Sequence, residues 1–332
     1  MGRFFAQSSL GARRVAVQTA LLLGMLCTGL AAQANPGPRP LPDERDEAAL
    51  VQALLDEEDS GAAPEAVLPA HVASQVRVLR DQAYGPDARQ RMDVYLPLKP
   101  QGAPVVFLVH GGAWRTGDKA TAVVVQKKVE RWVPEGAVLV SINYRLLPEA
   151  GPLQQVGDVA QALAHAQRQA RAWGADARRF VVIGHSAGGH LVALLAASPE
   201  RLQALGAPPV RATVVLDSAA LDVPRIMQQR HLRLYDAAFG RNPAQWEAAS
   251  PLHQLHQLRQ AGAPLLVVCS SRRNLACEQA RSFVLRAQAL GIRAEVLSQP
   301  LSHHDINAQL GLPGEYTEAV EAFLRSTGVS LP

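Results

Sequence analysis

Short, predominantly apolar runs recur along the chain with helix-like stretches between them, and this alternation restricts the fold more than any other feature. Val105–Val109, Ala137–Ile142, Phe180–Ile183, Ala212–Leu216 and Leu265–Val268 are rich in β-branched residues. Runs of this length and content suit strands buried on both faces. Between them, residues 119–132, 155–173, 187–197 and 276–290 read as helices, while Ala294–Leu297 offers a last strand and 304–325 a last helix. Gln75–Arg80 and Met92–Leu96 alternate like a half-exposed antiparallel pair. Strand–helix alternation predicts an α/β domain over residues 75–332, with a mostly parallel sheet covered on both sides. Residues 222–258 are too irregular for a simple crossover; Arg225–Arg233 and Leu252–Leu258 look helical there, which predicts a small cap.

The N-terminal 34 residues read as an export signal. A basic stretch ends at Arg13-Arg14, an apolar run extends from Val15 to Leu30, and Ala32-Gln33-Ala34 supplies small residues for cleavage. The run is shorter than the ~20 apolar residues that span a bilayer, and Gln18 and Thr19 interrupt it. The expectation is therefore a periplasmic or extracellular protein without stable membrane insertion. Of the 33 basic side chains, Arg3, Arg13 and Arg14 belong to the signal, leaving 30 against 29 acidic ones. That near-neutral balance offers no footprint for nucleic acid. After the signal only Cys269 and Cys277 remain, an even pair that an oxidising compartment would join. Residues 35–74 read as a linker containing a short acidic helix at 45–58.

Two glycine motifs carry the chemistry. Gly184-His185-Ser186-Ala187-Gly188 follows an apolar strand and precedes a helix-forming stretch. A chain turning that sharply forces Ser186 into a strained conformation, and glycines two residues either side keep Cβ atoms out of the turn. The hydroxyl then stands at a helix N-terminus, where the dipole and amide groups favour an oxyanion. His110-Gly111-Gly112-Ala113-Trp114 also follows a strand directly. A glycine pair lets the backbone aim its amides at developing negative charge, so Gly112 and Ala113, with Ala187, are the expected oxyanion donors. Trp114 would wall an acyl pocket or pack in the core.

With both motifs in place, residues 75–326 resemble the α/β-hydrolase superfamily, in particular its esterase branch bearing His-Gly-Gly-x-Trp. Feruloyl and acetyl esterases, kynurenine formamidase and the hormone-sensitive-lipase relatives belong to that branch. Ser141–Pro148 and Asp158 resemble it as well. The resemblance implies an eight-stranded sheet and a Ser–His–acid triad, and the expected activity is hydrolysis of a small or medium ester; no ligand cluster with metal spacing appears, so no metal or organic cofactor is expected. The resemblance places the base at His303, because an aliphatic residue, Ile306, follows three positions on; His304 is the alternative.

The acid departs from the family pattern. A carboxylate is expected just after Leu265–Val268, yet Cys269-Ser270-Ser271-Arg272-Arg273-Asn274 holds none, and Glu278 belongs to the next helix. Asp217, at the end of the preceding strand, is the expected substitute, with Asp222 next. A Cys269–Cys277 bridge would fix Arg272 and Arg273 above the site, where they could bind an acidic substrate group. A formamidase, a peptidase or a non-catalytic binding protein are the competing readings.

Overall fold

The structure, a computed structural model, describes residues 65–258 and 262–331. The expected signal at 1–34 and the acidic segment at 45–58 lie outside the described residues. The strands are β1 (Val76–Ala83), β2 (Arg91–Pro97), β3 (Ala103–Val109), β4 (Val138–Ile142), β5 (Ala175–His185), β6 (Ala212–Leu216), β7 (Leu265–Ser270) and β8 (Ala294–Gln299). They form one sheet in the order β1-β2-β4-β3-β5-β6-β7-β8. β1 and β2 run antiparallel to their neighbours, and the pairs from β4 through β8 are parallel. This is the α/β-hydrolase fold.

The helices are α1 (Ala70–Ala73), α2 (Ala122–Trp132), α3 (Pro152–Gln169), α4 (Ala187–Ala196) and α5 (Glu200–Gln203). The cap segment contributes α6 (Val223–Met227), α7 (Arg233–Phe239), α8 (Pro243–Ala248) and α9 (Pro251–Leu255), followed by α10 (Asn274–Ala289), α11 (His303–Ala308) and α12 (Glu315–Ser326). The apolar strands bury both faces, as their lack of polar alternation requires. On one side Val105, Phe107, Val140 and Val182 pack with Leu163 of α3, Leu191 of α4 and Phe283 of α10. On the other, Val106, Leu108, Leu139 and Ile183 meet Val125 and Trp132 of α2 and Val320 and Phe323 of α12. Arg131 and Trp132 both donate to the Glu321 carboxylate, tying α2 to α12.

Three expectations are corrected. The last helix is two: Gly311 and Gly314 adopt φ of 103° and 141° on either side of Pro313, and α11 stops before α12 begins. The cap holds four short helices, because Pro224, Pro243 and Pro251 each start a new one at its first turn. Residues 65–74 are packed rather than linker-like: Glu65 bridges Thr121, and Ala66 and Val72 are buried.

β3 pairs with β4 on one side and β5 on the other, so the connections leaving β3 and β5 diverge at their carboxyl ends. Such a switch point opens a crevice for a ligand. Both glycine motifs end there.

Candidate active site

β5 ends at His185 and α4 begins at Ala187, so Ser186 makes the reversal by itself, at φ 53° and ψ −116°. Side-chain-bearing residues rarely occupy that region, and the surroundings must hold it. The Ser186 amide donates to the Leu216 carbonyl of β6 at 2.9 Å, and its own carbonyl accepts from the His190 amide at 2.9 Å. A Cβ at position 184 would strike the Gly188 carbonyl, and one at 188 would strike the carbonyls of Val109 and His110. The second collision shows why glycine is required there: it lets the elbow and the turn after β3 touch backbone to backbone.

That turn is strained over three residues, with φ of 100° at Gly112, 47° at Ala113 and 61° at Trp114. Only the first is a glycine, so the others persist because neighbours clamp them. The Tyr144 hydroxyl donates to the His110 carbonyl at 2.9 Å. The Leu147 amide and the Gln155 side chain both donate to the Trp114 carbonyl, at 2.9 and 2.8 Å. Ala113 and Ala187 line one cleft with Ser186, whereas Gly112 shapes the turn behind them.

His303 opens α11 on the same cleft, 4% exposed. Its Nδ1 donates to Asp217 Oδ2 at 2.6 Å. Asp217 is fully buried just beyond β6, with a φ of 47°. Its Oδ1 accepts the Ser270 amide at 2.7 Å. Burial by itself would raise the Asp217 carboxyl; the hydrogen bond from His303, the Arg273 charge and the Ser270 amide outweigh it and hold the group well below the usual carboxylate range. His185 supports His303, with its Nε2 on the His303 carbonyl at 2.9 Å and the two rings 4.5 Å apart.

The alternatives lie elsewhere. His304 is half-buried, 3.7 Å from the neighbouring Asp305. Asp222 caps α6 through the Arg225 amide and approaches His253, not His303. Glu278 pairs with Arg225 at 2.7 Å. The Cys269–Cys277 disulfide is formed, with Cα atoms 5.2 Å apart. Within the loop it closes, Arg272 is exposed, but Arg273 turns inward: its Nη1 donates to Oδ2 and the carbonyl of Asp217 and stands 2.5 Å from His303 Nδ1. Both arginines were expected above the site, open to an acidic substrate group; Arg273 is instead laid on the Asp217 carboxylate, and Arg272 points to solvent.

The rest of the cleft comes from the segment after β6 and from the cap, where Ser218, Ala219 and Ala220 face Leu234 and Tyr235 of α7. Nothing in the local pattern of 233–239 had marked Leu234 or Tyr235 as lining. Trp114 lines the cleft and is at the same time 3% exposed in the core. Its ring meets Phe239 edge-on at 5.0 Å, and its Nε1 donates to His190 Nδ1 at 3.2 Å. His190 is fully buried and donates from Nε2 to the Ala249 carbonyl. Burial lowers His190 to about 4, so the ring is neutral and anchors the cap to the tryptophan. Among the described residues, no group of three or more His, Cys, Asp or Glu side chains is arranged to hold a metal ion, and no helix is long and apolar enough to cross a membrane.

Fold and site together define an α/β-hydrolase with a serine elbow facing a buried histidine–aspartate pair. The BD-FAE family matches residues 92–266, more than half of the chain, and the chain belongs to that family. It is similar to Esterase LipC of Mycobacterium tuberculosis, 31% identical over 262 residues that make up 73% of this chain and 63% of that protein. It is also similar to isoprenylcysteine alpha-carbonyl methylesterase ICME of Arabidopsis thaliana, 28% identical over 72% of this chain and 59% of that one. The chain thus spans about three fifths of the length of these relatives. The crystal structure of esterase B from Lactobacillus rhamnosis superposes with a TM-score of 0.65 at 18% identity, over 86% of this chain and 93% of the other, which speaks for the fold.

Proposed function

We propose that this protein hydrolyses small carboxylic esters through an acyl-enzyme on Ser186, with His303 as base and Asp217 as acid. The observation that carries the reading is the 2.6 Å hydrogen bond from His303 Nδ1 to a buried, ionised Asp217, on the cleft that also holds the strained serine. That bond puts the imidazole proton on Nδ1 and leaves Nε2 to take the serine proton. Attack forms the Ser186 Oγ–acyl bond and drives the carbonyl electrons onto oxygen. The amides of Ala113 and Ala187, in the turn shaped by Gly112, stabilise that charge. The imidazolium then gives its proton to the departing alkoxide; water, deprotonated by the same nitrogen, releases the acid and restores the serine.

The cleft is narrow, with a free volume of about 40 Å³, and Trp114, Leu234 and Tyr235 form its apolar wall. An apolar lining with a few polar groups beside it suits a small ligand. A compact acyl group therefore fits better than a long chain. The relatives' names, an esterase and a methylesterase, support ester rather than amide chemistry. Export is part of the same proposal, supported by the basic–apolar–small pattern of residues 1–34 and by the formed disulfide.

A fluorophosphonate probe tests the assignment directly. Stoichiometric labelling that maps to Ser186, with loss of turnover in Ser186→Ala, is the expected result. An unlabelled, inactive protein would instead be a ligand-binding relative that keeps the cleft.

A further inference from the structure

Arg273 stands where two lines of the fold converge. It follows β7, beside β6, and forms the N-cap position of α10. Its amide donates to the Ser270 carbonyl at 3.0 Å, and its loop is closed by the Cys269–Cys277 disulfide. The side chain is 28% exposed, with one edge on the cleft and Nη1 on Asp217. Asp217 already receives the Ser270 amide on Oδ1 and His303 on Oδ2. Orientation of the carboxylate is therefore secured without Arg273, and what the guanidinium adds is charge.

Resting on the triad proposed above, we infer that Arg273 is a positioning residue that acts through Asp217 to keep His303 neutral, and hence able to serve as base, at lower pH. An aspartate beside a histidine stabilises the imidazolium and makes the base harder to free of its proton. A permanent cation on the same carboxylate oxygen opposes this in two ways. It draws down the field that Asp217 projects onto the ring, and it repels the imidazolium directly. With Nη1 2.5 Å from Nδ1, the repulsion acts at short range, in a pocket where it is only partly screened. The arginine also keeps Asp217 ionised, so the acid retains its hold on Nδ1–H as pH falls.

Other groups face the base and bear on its titration. His185 packs against it from the end of β5 with its ring tilted by 36°, and Ser186 shares its cleft. On its own helix, His304 and Asp305 follow directly. Tyr316 of α12 donates to the Ile306 carbonyl, and Lys128 of α2 donates to the Asn307 carbonyl. None of these contacts runs through Arg273, so the difference between variants reports the arginine.

The test is the pH dependence of kcat/KM on a neutral short-chain ester and on a carboxylate-bearing one, for wild type, Arg273→Met and Arg273→Lys. Ser186→Ala serves as the blank. In Arg273→Met the acid limb should move up by about one pH unit for both esters, lowering kcat/KM near pH 6 by about tenfold while changing it less than about threefold near pH 9. Arg273→Lys should restore most of the low-pH activity. An unmoved limb overturns the inference, as does an equal loss at every pH, which marks a merely structural residue. A loss confined to the carboxylate-bearing ester overturns it in favour of substrate binding. Should Arg273→Met not fold, NMR titration of the His303 ring in the wild type decides. A midpoint below the ordinary histidine value of about 6.5 supports the inference, and one above about 7 overturns it. Turnover surviving in Ser186→Ala overturns the triad as well, which separates the two failures.

Discussion

Asp217 and Ser270 stand side by side at the carboxyl ends of adjacent parallel strands, and the Ser270 amide donates to Asp217 Oδ1 at 2.7 Å. The register pairs Leu216 with Val268, so a side chain just past β6 reaches the space that one just past β7 would otherwise fill. His303 needs a carboxylate at that point in space and not at a particular point in sequence. The histidine can therefore be served from either strand. Asp217→Asn should lower kcat/KM by about 10³–10⁴, the loss that follows when a base can no longer be held in the right tautomer. Asp222→Ala, which removes a helix cap, should leave kcat/KM within about threefold and cost about 1 kcal/mol in stability. Steady-state kinetics on one ester, with thermal melts of both variants, checks the pair.

Tyr235 of α7 faces Trp114 across the cleft at 6.1 Å and stacks on Phe239 at 6.2 Å. Truncating it removes an acyl-side wall while leaving Ser186, His303 and Asp217 untouched. In Tyr235→Ala, the ratio of kcat/KM for a hexanoyl over an acetyl ester should rise by about tenfold, in keeping with what one or two methylenes contribute in an apolar pocket. A chain-length series of esters with a common leaving group reads this out. An unchanged ratio would place the acyl group elsewhere.

Lys128 is 2% exposed, and its Nζ donates to the Asn307 and Val123 carbonyls, at 2.7 and 3.2 Å. Burial lowers it to about 7. The folded state thus sheds this proton near pH 7, while the unfolded chain keeps it to about 10.4. Between those values the unfolded state binds more protons, so stability rises with pH. Wild type should gain on the order of 2 kcal/mol relative to Lys128→Met on going from pH 7 to pH 9. Chemical denaturation of both proteins at the two pH values checks the sign, and a gain by the variant instead would refute it.

The disulfide closes the loop that brings Ser270 and Arg273 to the acid. Replacing both cysteines by serine should cost about 2–3 kcal/mol in the loop-entropy account. It should also weaken the acid limb of the pH profile in the same direction as Arg273→Met, because the loop that carries the guanidinium is released. Comparison of the double variant with reduced wild type, by melting and by pH profile, tests both effects.

Local chemistry made much of this protein legible. The strand at Phe180–Ile183, the glycines at 184 and 188 and the turn at 111–114 are all governed by neighbours within a few residues. Sterics at Gly188 are severe enough to leave few alternatives to a tight elbow. The break between α11 and α12 could also have been read, because Gly311, Pro313 and Gly314 stand together. What helical periodicity hid was that the apolar pattern continues across the break, since Ile306, Leu310 and Val320 all enter the same core.

The tight turns at Ser186 and after β3 were thus determined by sequence alone, through backbone sterics that operate over a handful of residues. The partnership of Asp217 with His303, 86 residues apart, was decided only by the tertiary structure. So were the seat of Arg273 on that acid and the closing of the cleft by Tyr235. Each depends on which strands lie side by side and where a cap helix lands. Those distances follow from packing of the whole sheet, and no local pattern records them.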